Sequence, residues 1–202
     1  MEIKADVHSI SKLKDYFFLV PDYQREYVWK PDDQVEQFIL DIDNEFEEGS
    51  TNQKSYFIGS IIIVENNGQF DVIDGQQRLT TIILSLCAFR DLLKNQELDK
   101  KQKKYLQTIE ELLSDFDIST DETKLRLELQ YSESKDYLNK LIENVPYEDE
   151  VTPSIKKMIE AHAKLKLHFE TYLKEGLNNL TDFARYFLTK IELVIIQSEN
   201  LS

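Results

Sequence analysis

A single cysteine, Cys87, stands in a chain of 202 residues. One thiol excludes an internal disulfide, and its place in an apolar helical run makes it a buried core group in a reducing compartment. No run approaches the roughly 18 apolar residues of a membrane-spanning helix. The opening MEIKADVHSI lacks the apolar segment of a signal peptide. The cytoplasm is therefore the expected compartment, with no membrane partner. No G-x-x-x-x-G-K-[ST] segment occurs, which excludes a P-loop, and no CxxC or HExxH leaves structural zinc without a case. There is no internal repeat and no low-complexity tract. Positive charge is short too: 24 Lys and Arg face 38 Asp and Glu, a net charge of -14. The acid is spread along the chain, so most of the surface repels DNA phosphate. Contact with DNA needs a local basic site, or basic surface elsewhere in a larger protein.

What is present is enough for a core. Hydrophobic residues make up 41% of the chain, with eleven Phe and ten Tyr, which argues against disorder. Ser9 or Ser11 caps a first helix with Ile10, Leu13 and Phe17 on one side, and FFLVP reads as a short strand stopped by Pro21. Pro31 with Asp32 or Asp33 opens a helix carrying Val35, Phe38, Ile39, Ile42 and Phe46 and ending at Gly49. YFIGSIIIVE and QFDVID, joined by the turn residues NNG, predict a β-hairpin. From Gln76 the period becomes helical, through Leu79, Ile82, Ile83, Leu86 and Leu93. Beyond residue 95 the pattern is mainly helical. A helix covers DKKQKKYLQTIEELLSDF, TKLRLEL is a strand, and three more helices follow before a buried strand at LVIIQ. The expected fold is α+β: residues 1–95 a lobe with a small mixed sheet, residues 96–202 a mainly helical lobe. Buried strands seldom finish a domain, so the chain is expected to be the front portion of a longer protein.

Two segments carry chemistry. The first is VIDGQQRLTT, where a strand, a glycine turn and a helix start meet at Asp74 to Arg78. First-turn N–H groups lack intrahelical partners and, with the helix dipole, form an anion site. Gly75 lets backbone approach a ligand, Gln77 offers a donor and an acceptor, and Arg78 is a planar fork suited to phosphate. Asp74 can hold a cation or orient a water. The residues also admit a purely structural reading, with Asp74 capping the helix, Gly75 easing the turn and Arg78 paired with Asp74; capping alone, however, does not need Gln76 beside Gln77. The second segment is VPDYQREYVW. Arg25 is another phosphate fork, and Tyr23, Tyr27 or Trp29 could stack on a base or guard a pocket. Tyr27 and Trp29 read better as core anchors. Gln24 and Arg25 could serve a ligand, and Arg25 could equally close an ion pair.

Pro21, Tyr23, Gln24, Arg25, Tyr27 and Trp29, then YFIGSIII, then VIDGQQRLTT, resemble the N-terminal domain of GmrSD-type modification-dependent restriction enzymes, known by a D-G-Q-Q-R motif. KLRLEL with its following helix and the closing FLTKIELVIIQ also fit, so the resemblance covers nearly the whole chain. It implies a core like that of ParB and sulfiredoxin, in which a G-x-x-R turn, here Gly75 to Arg78, grips nucleotide phosphates. It implies binding and hydrolysis of a nucleoside triphosphate with Mg²⁺ or another divalent cation, coupled to restriction of phage DNA. Tyr23, Gln24, Arg25, Gly75, Gln76, Gln77 and Arg78 would surround the nucleotide. Asp74, Gln77 and Arg78 would be the catalytic set, Asp74 on the metal or a water and Gln77 positioning that water. The family continues past a strand like LVIIQ into an F-E-x-x-N segment and commonly a nuclease domain or partner nuclease, neither of which lies in this chain. DNA would then be met through the full-length protein or that partner, and a homo-oligomer is compatible with this.

Other residues are weaker candidates. His8, His162 and His168 do not form a metal set. His162 shares a helical face with Ile155, Met158, Ile159, Leu165 and Phe169, which makes it a core or interface group. Lys100, Lys101, Lys103 and Lys104 are the densest basic patch, a solvated helix start or a DNA contact. Two other function classes stay open: a non-catalytic DNA-sensing or scaffold module, and a nickase or phosphodiesterase using the same site.

Overall fold

The computed structural model describes residues 3–198. It begins with a strand that the sequence pattern did not announce, β1 (Ile3–Ser9). A short 3-10 turn over Ile10–Asp15 replaces the expected first helix; it buries Ile10 and Leu13, and Ser9 makes no side-chain capping bond to it. β2 (Phe18–Val20) is followed by a loop, then by an irregular helical turn at Pro31–Val35 that leads into α1 (Glu36–Glu45). β3 (Tyr56–Asn66) and β4 (Gln69–Asp74) form the expected hairpin. Asn67 at φ 52° and Gly68 at φ 80° supply the two left-handed positions that a tight two-residue turn needs.

α2 (Gln76–Lys94) runs from that hairpin through the centre of the molecule, buried on nearly every side. α3 (Lys100–Leu113) starts at a capping box in which Asp99 accepts from Lys101 and Gln102 while Gln102 returns a bond to the Asp99 N–H. It stops earlier than its amphipathic pattern predicts, and β5 (Ser114–Asp117) pairs with β6 (Glu122–Leu125) instead. The KLRLEL run is two strands, because Arg126 turns the chain between β6 and β7 (Leu127–Leu129): its N–H donates to Leu113 and its carbonyl accepts from Phe18. α4 (Ser132–Glu143), α5 (Pro153–Glu175) and α6 (Leu177–Lys190) follow, and β8 (Ile191–Ser198) closes the described chain.

Six strands make one mixed sheet in the order β1-β8-β3-β4-β2-β7, so the fold class is α+β. β8 lies between β1, antiparallel, and β3, parallel. β7 and β8 come from beyond residue 95, so that residue divides the chain but not the sheet. Ile61, Ile63, Val72, Leu193 and Ile195 bury one sheet face against the helices, while Ile62, Val194 and Ile196 on the other stay partly open. Phe89 of α2 stacks on Phe169 of α5 with ring centres 4.0 Å apart. Each such fully buried side chain contributes about 2 kcal/mol, which holds α2, and therefore its N-terminus, in place.

Candidate functional site

β4 ends at Asp74 and α2 starts at Gln76, so the change of direction falls on Gly75, at φ 90° and ψ 9°. A side chain there would be strained by the left-handed φ and would also collide. A Cβ would lie 2.5 Å from Ile61 Cγ2 and 2.9 Å from the Ser60 carbonyl oxygen. β3 thus passes directly against the turn. The N–H groups of Gln76, Gln77 and Arg78 have no intrahelical acceptor. Among the described residues no side chain caps the helix, and its first turn holds no acidic residue. Asp74 is therefore not a cap, and the positive end of the α2 dipole is left open to an anion.

Arg78 rises from the first turn of α2 and lies flat against β3. At Gly59, with φ 118°, a Cβ would sit 2.6 Å from Arg78 Cζ, so only glycine admits the guanidinium. The β3–β8 register shifts between Phe57 and Ser60, and this bulge is where the fork docks. Arg78 Nη1 donates to the Ser60 carbonyl at 2.9 Å. Among the described residues Arg78 makes no ion pair with Asp74, which removes the paired alternative. The guanidinium also lines a cavity of about 320 Å³ together with Trp29, Gln34, Gln37, Asp41 and Tyr56. Burial first, then the Asp41 and Glu45 carboxylates, raise the Tyr56 hydroxyl above the ordinary phenol range.

The two sequence motifs meet here through direct hydrogen bonds. Gln77 is buried, its Oε1 accepts from the Val28 N–H at 2.8 Å, and its Nε2 donates to the Glu26 carbonyl at 2.9 Å. Gln24 Nε2 donates to the Ile73 carbonyl at 3.0 Å, and the Tyr27 hydroxyl shares a 2.9 Å bond with Thr81. Tyr131, from the start of α4, donates its hydroxyl to the Gln24 carbonyl; burial, then Glu26 and Asp22, push that phenol up to about 12. Residues 24–28 are thereby fastened across the turn, and Arg25 sits between two fastening points with its side chain exposed. It closes no ion pair among the described residues. Tyr27 is a core anchor and Trp29 packs beside Phe38, whereas Tyr23 is 65% exposed.

Asp74 is exposed and engages no other side chain in a hydrogen bond among the described residues, and no cluster of three His, Cys, Asp or Glu is found there. Mg²⁺ keeps several waters and is usually held by one or two carboxylates plus substrate phosphates. A single free carboxylate beside an anion-attracting helix start fits that pattern. Gln77, expected to position a water, has both ends of its amide engaged by loop backbone. It would have to leave those bonds to meet one. Gln76 is half-buried at the same helix start.

Sequence reasoning did not reach three contributors. Gly59 and Ser60 dock Arg78, and the signal was a glycine inside a β-branched run. Tyr131 reaches Gln24 across 107 positions of chain, and nothing local marks it. Elsewhere, Cys87 is fully buried, which pushes its thiol up to about 12. His162 is an interface group whose Nε2 lies 3.4 Å from Asp91. Lys100, Lys101, Lys103 and Lys104 are all exposed on the first turns of α3, away from any hydrogen bond to the turn at Gly75.

Residues 7–202 match the profile of a family described as GmrSD restriction endonuclease, N-terminal domain. Among curated proteins, none matches the chain. No helix of the described residues is long and apolar enough to cross a membrane.

Proposed function

We propose a function from one premise: the chain belongs to the family of GmrSD restriction endonuclease N-terminal domains. That family points to a restriction, phage-defence protein. Within it, our reading is that this chain binds a nucleoside triphosphate at the Gly75–Arg78 turn and hydrolyses it, and that turnover controls DNA cleavage by a nuclease in the full-length protein or a partner. One observation carries this: an uncapped helix start at a left-handed glycine, with the Arg78 fork docked beside it and the Arg25 loop fastened across it. The N–H groups of Gln76, Gln77 and Arg78 hold phosphate, and Arg25 reaches the same charge from the loop. Gln24 and Gln77 hold that loop, and the exposed Tyr23 ring is free to stack on a base. The cavity that Arg78 lines offers the Trp29 and Tyr56 rings for stacking, with Gln34, Gln37 and Asp41 for hydrogen bonds. Asp74 would hold Mg²⁺, which supplies charge neutralisation at the phosphates. The buried, lone thiol supports a cytoplasmic setting.

The test is phosphate release from each nucleoside triphosphate with Mg²⁺, on this chain and on any longer parent. Asp74→Ala and Arg78→Ala are each expected to lower turnover by about 100-fold or more and to leave the fold intact. Full activity of both variants in the complete protein would remove the assignment. A second reading has one observation behind it, the complete engagement of the Gln77 amide by loop backbone. On that reading the motif is a structural turn in a DNA-sensing module. Salt-sensitive DNA binding without phosphate release would favour it, and strand nicking would instead favour a phosphodiesterase.

A further inference from the structure

We propose that two copies of this chain associate about a two-fold axis through the outer edge of β1. This does not rest on the nucleotide reading. β1 ends the sheet: β8 pairs with one side, and no described residue pairs with the other. An open edge presents a row of unpaired N–H and C=O groups to another strand. Residues 3–7 are all exposed, Ile3 at 61% and Val7 at 62%. The register against β8 sorts them by face. Ala5 lies opposite Ile196 and Val7 opposite Val194 on the open face, whereas Asp6 lies opposite the buried Ile195 on the helix side.

The order of these residues selects the partner. Around Ala5 the strand reads Ile3, Lys4, Ala5, Asp6, Val7. Antiparallel pairing of two copies with Ala5 opposite Ala5 of the partner subunit brings Lys4 against Asp6 of the partner subunit, and Asp6 against Lys4 of the partner subunit. On the other face Ile3 meets Val7 of the partner subunit, and Val7 meets Ile3 of the partner subunit. A two-fold interface requires this reciprocity, residue i meeting j and j meeting i. Cross-strand pairs of opposite charge and of β-branched residues both favour the pairing. Lys4 and Asp6 have no ion pair within the chain among the described residues, so both are available. At a net charge of -14 the copies repel over most of their surface. A contact between them must bring its own matched charges, and this edge does. The apolar strip of Val7, Val194, Ile196 and Ile62 then continues from one copy onto the next.

Sedimentation equilibrium on this chain reads the association. The wild-type chain is expected to dimerise. Lys4→Asp and Asp6→Lys each place like charges opposite each other twice per dimer and raise the dissociation constant by about tenfold or more. The double variant K4D/D6K inverts both charges and restores dimerisation. Lys4→Asp mixed with Asp6→Lys forms a mixed dimer, since each then faces the opposite charge. The side chains are exposed, so far-ultraviolet circular dichroism stays that of the wild type. A wild-type chain that is monomeric up to about 1 mM, single variants that dimerise like wild type, or a mixture of the two that stays monomeric would each overturn the proposal.

Discussion

Gln77 and Arg25 touch the same loop and do opposite work. Gln77 is interior, with its amide bonded to backbone on both sides, so it sets where the loop lies. Arg25 is exposed between the fastening points and holds nothing in place. Removing Gln77 leaves the Val28 N–H and the Glu26 carbonyl without their partners, at a cost of about 2 kcal/mol. Removing Arg25 is worth less than about 0.5 kcal/mol to the fold. Urea unfolding is expected to show a lower midpoint for Gln77→Ala and an unchanged one for Arg25→Ala, while Arg25→Ala weakens nucleotide binding. Equal midpoints for both would mean that the loop is not held by Gln77. At this scale the sequence displayed the functional groups but not their bonds. Asp74, Gly75 and Arg78 are legible because a strand, a glycine and a helix pattern meet there. The clamp by Gln77 is not, because its partners are backbone atoms, and no side-chain pattern records them.

α2 is the element on which the others converge, and a charged group near its C-terminal end ties three helices together. Arg90 is buried, donates to the Leu141 and Ile142 carbonyls at the end of α4, and meets Asp91 at 2.8 Å. Asp91 also faces His162 of α5. Burial pushes the Asp91 carboxyl up, but the nearby His162 ring and the hydrogen bonds from Arg90 outweigh it, and the net shift is below the ordinary carboxylate value. A carboxyl depressed in the folded state stabilises fully above its unfolded value of about 3.9 and loses that contribution as pH falls through the lower folded value. Asp91→Asn should therefore cost about 2 kcal/mol near neutral pH, with the gap from wild type narrowing below about pH 4. Thermal melts across that range check it; a pH-independent gap would contradict the pairing. Elements like α2 and the β3–β4 hairpin were legible because burial imposes their periods and Asn67 and Gly68 mark the turn. β1 was not, because an exposed edge strand has no buried face to enforce alternation. The division between β6 and β7 was hidden as well, since Arg126 breaks an alternation that continues on both sides of it.

For the molecule as a whole, the decisive feature is that the last described strand lies inside the sheet. Ile191, Leu193 and Ile195 are buried, and β8 bonds to β1 on one side and β3 on the other. Its three buried side chains contribute about 2 kcal/mol each, and both neighbouring ladders depend on it. That sum is comparable with the whole net stability of a domain, about 5–15 kcal/mol. The helical part after residue 95 is then no appendage: it delivers β7 and β8 to a sheet whose other strands precede it. Because β3 carries Ser60, Ile61 and the bulge at Gly59, the same loss would release the surface against which Gly75 and Arg78 are seated. A chain ended after Lys190, and likewise residues 1–95 alone, should show no cooperative thermal transition and no nucleotide-induced stabilisation. A cooperative melt from the chain lacking β8 would show that the sheet closes without its inserted strand, and that the turn at Gly75 is supported by the hairpin and α2 alone.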